Sequence, residues 1–174
     1  MTDQPNSRLS TNILFGAIAG FVATAAMTSA MARLHRKLPK RERYPLPPRE
    51  ITQRIVGGAD DALVRDGAMA AHFLYGAATG ALVAAVRPRP SLGEGALAGV
   101  AIWTGSYFGW VPALGILKPA SAHPRRRNAL MIAVHLVWGA TTAVALNELF
   151  LARSTILNQG PLRDAPDAER TASR

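Results

Sequence analysis

Four stretches of this chain contain no Asp, Glu, Lys or Arg: residues 12–32, 67–86, 95–117 and 128–147. They cover 84 of 174 residues, so the remaining 90 hold all 31 charged side chains. Each is 20 to 23 residues long, and a helix of that length crosses the ~30 Å hydrocarbon core of a bilayer. The pattern predicts an all-α, polytopic membrane four-helix bundle. Its membrane domain covers 12–152, between a polar N-terminal lead (1–11) and a polar tail (153–174) that reads as disordered.

The segments between the spans carry their own signals. Tyr44-Pro45-Leu46-Pro47-Pro48 is stiff and extended and cannot continue a helix. Residues 49–56 then place Ile51, Ile55 and Val56 on one face, which predicts a short amphipathic helix in the first loop (33–66). Such a helix suits the membrane interface beside anionic headgroups, or a place beneath the bundle. Gly57-Gly58 ends it, and Asp60 or Asp61 is placed to cap the helix that follows. Pro112 predicts a kink in the third span.

The chain also repeats itself. Gly16-Ala17-Ile18-Ala19-Gly20 in the first span matches Gly95-Ala96-Leu97-Ala98-Gly99 in the third. In the second and fourth, a His is followed by an aromatic, Gly-Ala and Thr: His72, Tyr75, Gly76, Thr79, and His135, Trp138, Gly139, Thr142. The expected architecture is two tandem helical hairpins related by an axis along the membrane normal. Helices in lipid associate through close packing, so small residues four apart mark contact faces. Gly16/Gly20, Gly76/Gly80, Gly95/Gly99 with Gly105/Gly109, and Gly139 are the expected packing positions; a homo-oligomer is compatible with the same faces.

Bulk composition changes the picture in two ways. The averages, 49% hydrophobic, 18% charged and mean hydropathy +0.10, resemble a soluble protein only because they blend two populations. The net charge of +9 then reads as topology rather than nucleic-acid binding. Loops 33–66 and 118–127 together hold 13 Lys and Arg, against 7 in the other segments. The positive-inside rule puts those loops in the cytoplasm and both termini outside. The first span, followed at once by a cluster of six cations from Arg33 to Arg43, reads as a retained helix rather than a cleaved signal. With no cysteine, disulfides, thiolate metal sites and cysteine nucleophiles are excluded.

Within the spans the readily titrating side chains are His72 and His135, five and seven residues in from the charged flanks. An ionisable group at membrane depth marks a functional hypothesis. The pair could be neutral staples, a proton relay, a site for a headgroup or small ligand, or axial ligands of a haem in a haem- or quinone-linked electron carrier. Tyr75, Trp138, Thr79 and Thr142 share their faces and complete a candidate intramembrane polar site. No carboxylate dyad, metal cluster or phosphate loop accompanies them, so the expectation is a non-enzymatic protein without a resident metal or cofactor, its partner the lipid bilayer.

Several motifs together resemble one family: Gly16 to Gly20, Tyr44-Pro-Leu-Pro-Pro-Arg-Glu-Ile-Thr52, His72-x-x-Tyr75-Gly76, Trp103-x-Gly105-x-Tyr107-x-Gly109-Trp110-x-Pro112-Ala-Leu-Gly115, and His135-Leu-Val-Trp138-Gly139. Over roughly residues 12–152 the chain resembles the YagU-like family of small bacterial inner-membrane proteins, whose function is not established. It is closer to members with this Pro-rich loop than to the longer enterobacterial ones. The resemblance implies a multi-span bacterial inner-membrane protein, and neither a reaction nor catalytic residues.

Overall fold

The structure, a computed structural model, describes residues 5–58 and 60–158. Its helices are α1 (Pro5–His35), α2 (Pro47–Val56), α3 (Asp61–Val86), α4 (Leu92–Gly105), the single turn α5 (Val111–Ala113) and α6 (Arg125–Ser154). No strand occurs among the described residues. Three helices are long and apolar enough to cross a membrane: Arg8–His35, Asp61–Val86 and Arg125–Ser154. The helices overrun the charge-free stretches at both ends. Part of the polar lead belongs to α1, and Arg153 and Ser154, expected in the tail, close α6. Residues 1–4 and the tail beyond 158 lie outside the described residues.

The third charge-free stretch departs from the expected single helix over 95–117. α4 runs into a π-helical turn at Ser106–Trp110, where Gly109 leaves helical geometry at φ −105° and ψ −109°. Pro112 has no N–H to give, and its ring crowds the carbonyl four residues back, so the distortion falls before the proline rather than at it. The helix stops at Ala113. Gly115, at φ +67°, closes it by donating to Pro112 O at 2.9 Å while Ile116 donates to Val111 O at 3.1 Å, a Schellman ending that needs a residue free to turn left-handed.

Close backbone contact between small residues decides which helices pair. A Cβ added at Gly16 would strike Gly80 and Ala84, and one at Gly20 would strike Gly76 and Gly80, so α1 packs antiparallel on α3. Gly95 faces Gly139 and Ala143, and Gly99 faces the His135 carbonyl, joining α4 to α6 in the same way. Gly105 and Gly109 have no such neighbour, so the expected packing role is not seen there: Gly105, six residues past Gly99, lies off the Gly95/Gly99 face of α4, and Gly109 sits within the π turn.

α1 also packs along α6, whereas α3 and α4 share no comparable interface. Ala19, Ala84, Leu146 and Phe150 fill one end of the core; Met27, Met31, Trp103, Tyr107, Met131, Val134 and Trp138 fill the other. Small residues make the close contacts between helices, while Leu74, Leu82, Val86 and Leu97 on their outer faces are 62–79% exposed.

The connections are tied individually. α2 starts with Pro47 and Pro48 in its first turn, where a missing N–H costs nothing. It lies against α3, joined by an Arg49–Asp61 ion pair, and so takes the place beneath the bundle. Asp60 holds the N-cap position of α3 without a side-chain bond. α4 has a full capping box: Glu94 N donates to Ser91 Oγ at 3.3 Å and Ser91 N to Glu94 Oε2 at 2.7 Å. The Ser91 bonds, with Arg87 3.0 Å away, hold the Glu94 carboxyl below its usual range.

Candidate functional site

Between α3 and the α4–π segment, backed by α1 and α6 and floored by α2, lies a chamber of about 290 Å³. It is a direct product of the pairing above, because α3 and α4 each lean on a different partner and leave the space between them unfilled. His72, Tyr75 and Thr79 reach it from α3, His135 and Trp138 from α6. Five of the six residues predicted for an intramembrane polar site therefore line one chamber. Thr142 does not: it is buried, and its hydroxyl donates to the Trp138 carbonyl at 2.9 Å.

Most polar groups around the chamber are already committed. Trp138 Nε1 donates to Gly20 O and to Thr24 Oγ1, both at 3.2 Å, and Thr24 in turn donates to Gly20 O at 2.7 Å. Trp138 thus fastens α6 to α1 where α1 meets α3, and offers the chamber only its ring. Thr79 donates to its own helix, to Tyr75 O at 2.8 Å and Gly76 O at 3.2 Å. The Tyr75 and Ser106 hydroxyls bond each other at 2.7 Å. His135 Nδ1 is 2.7 Å from Met131 O; a carbonyl only accepts, so Nδ1 carries the proton and Nε2 is the acceptor of the neutral ring.

Two side chains lining the chamber have a buried nitrogen without a partner: His72 Nε2 and Trp103 Nε1. Trp103 is only 6% exposed. An unsatisfied buried donor costs roughly 1–3 kcal/mol, so each such group calls for an explanation. No Asp, Glu, Lys or Arg lines the chamber among the described residues. Nor does any cluster of three or more His, Asp or Glu that could hold a metal occur among them.

Several wall residues were not singled out in the sequence as parts of a site. Met27, Met31 and Met131 come from α1 and α6, Trp103 and Tyr107 from α4 and the π turn, and Pro47, Pro48, Ile51, Thr52 and Ile55 from the floor. The apolar face of α2, read as interfacial or packed, is what closes the chamber from below.

The floor is held from outside by Arg127, which is 3% exposed. Its guanidinium donates to the carbonyls of Glu42 (3.4 Å), Tyr44 (2.9 Å) and Pro45 (2.9 Å), and lies 3.5 Å from the centre of the Tyr44 ring. Burial raises the Tyr44 phenol above its ordinary value, opposed by Arg127. The phenol therefore stays protonated at neutral pH and donates to His123 Nδ1 at 3.0 Å, while His123 Nε2 donates to Lys118 O at 3.3 Å. Tyr107 meets the same His123 ring edge-on at 5.9 Å. One arginine and one histidine thus lock both loops against the chamber.

The chain matches no family model, no curated protein and no solved structure.

Proposed function

We propose that this chain is a four-span protein of the bacterial inner membrane, built from two tandem hairpins, and that it binds a small uncharged ligand in the chamber beside His72 and His135 without transforming it. The outward leucines support the membrane part. Keeping a large apolar side chain in water forgoes about 1.5–3 kcal/mol, and every long helix carries several such side chains on its exterior. Lipid removes that penalty. On this reading α4, the π turn and α5 form the fourth, kinked crossing. The basic loops face the cytoplasm and its anionic headgroups, and both termini lie outside. Membership of the YagU-like family belongs to the same proposal. It is supported by the sequence motifs alone; of their residues, Pro47, Ile51, His72, Tyr75, Trp103, Tyr107, Trp110, His135 and Trp138 line the chamber.

The binding reading is carried by one observation: both intramembrane histidines line a single chamber without a charged wall. Solvent extraction of the protein purified from native membranes is expected to release a bound lipophile above the background of bulk lipid. The yield should fall with His72→Ala plus His135→Ala. Equal background-level yields from both proteins would count against the reading. A Soret band from haem-supplied cells, lost on His72→Ala, would establish the haem carrier in its place.

A further inference from the structure

We infer that the chamber takes a ring-sized, uncharged lipophile bearing carbonyl or phenolic oxygens, the chemistry of a membrane quinone, and that it enters sideways between α3 and α4. The inference rests on the ligand-binding reading and names the ligand class for that site.

Size, polarity and access each narrow the occupant. About 290 Å³ lies at the small end of ligand pockets, which run roughly 300–1,000 Å³, so a ring fits and a macrocycle does not. Without a charged wall residue an ion would enter uncompensated. The unpartnered nitrogens differ usefully: Trp103 Nε1 only donates, while His72 Nε2 donates or accepts according to its tautomer. An oxygen that accepts from Trp103 and either accepts from or donates to His72 satisfies both, as the oxygens of a quinone and its quinol do. The surrounding rings and thioethers give such a ring flat, polarisable contacts.

Access follows from the missing α3–α4 interface. There α3 reaches the π turn that follows α4 through the Tyr75–Ser106 hydrogen bond and the Tyr75–Trp110 ring pair, 6.1 Å between centroids. Tyr75 and Trp110 are 38% and 41% exposed. A lipid-soluble molecule arriving from the bilayer meets a latch of three side chains and not a packed helix pair, and its tail can stay in lipid.

All three tryptophans of the chain line the chamber, so intrinsic fluorescence reads its occupancy. In nanodiscs, decyl-benzoquinone is expected to quench it saturably. Trp103→Phe, which keeps a ring and removes the N–H, should weaken that binding about 5- to 10-fold, close to one hydrogen bond. Decylbenzene, which lacks the oxygens, should bind more weakly to the wild type and be unaffected by Trp103→Phe. A bulky maleimide on Ser106→Cys should slow quinone association at least tenfold. Quenching that only rises linearly, or equal loss of both probes in Trp103→Phe, would overturn the inference. Absence of quinone binding by a protein that still yields an extractable ligand would also overturn it, leaving the chamber reading in place.

Discussion

Arg127 looks from its position in the chain like one more cation of a basic loop, yet it is the most buried charge of the described residues. Its three carbonyl contacts and its place over the Tyr44 ring need a planar fork of donors, which lysine lacks. Arg127→Lys keeps the topological charge but should destabilise the 39–47 segment by about 3 kcal/mol, the scale of a broken buried charge network. In detergent, tryptic cleavage at Arg41 or Arg43 should then accelerate markedly; unchanged cleavage would show that the clamp does not hold the loop. At this scale the sequence was legible in part. Histidines inside charge-free stretches stand out because so little else titrates there. Trp103 and Arg127 gave no such signal, since an indole in an apolar stretch and an arginine at the edge of one are both ordinary.

Element positions were the most readable feature, because the long helices run through the charge-free stretches and glycine pairs four apart let backbones touch. The chamber was harder to read, since spacing along one helix does not say which helices are neighbours. Gly105 and Gly109 show the limit: they have the spacing of a contact face but sit at and within a π turn with no close neighbour. The contrast makes a paired prediction. A methyl at Gly20 would overlap the Gly76 carbonyl, so Gly20→Ala should cost about 1–3 kcal/mol of stability as an overpacked contact. Gly105→Ala, in helical geometry with open space around it, should be neutral or stabilising by up to about 1 kcal/mol. Thermal melts in detergent compare the two directly, and equal losses would mean that glycine spacing, not contact, sets the effect.

For the whole molecule, the four-span reading makes its own prediction. A single cysteine near Arg41, in an otherwise cysteine-free chain, should resist an impermeant thiol reagent added outside intact cells and react after the membrane is opened. Labelling from outside would reverse the topology. The tandem match in the sequence also meets a geometric fact at this scale. If Gly16 and Gly95 were equivalent, as their pentapeptides align, Gly95 would oppose Ala143 and Asn147; it opposes Gly139 and Ala143 instead. Gly95 therefore does in the second pair what Gly20 does in the first, and the two pairs differ by one helical turn, about 6 Å along the axis. The shift lies within each pair, so no rigid-body motion superposes both helices of one half on their sequence equivalents in the other. Two copies of either half alone would therefore rebuild the glycine contacts of one pair twice, but not the interface along which α1 meets α6. The halves have ceased to be interchangeable, and a split version of the protein should reassemble only from one of each.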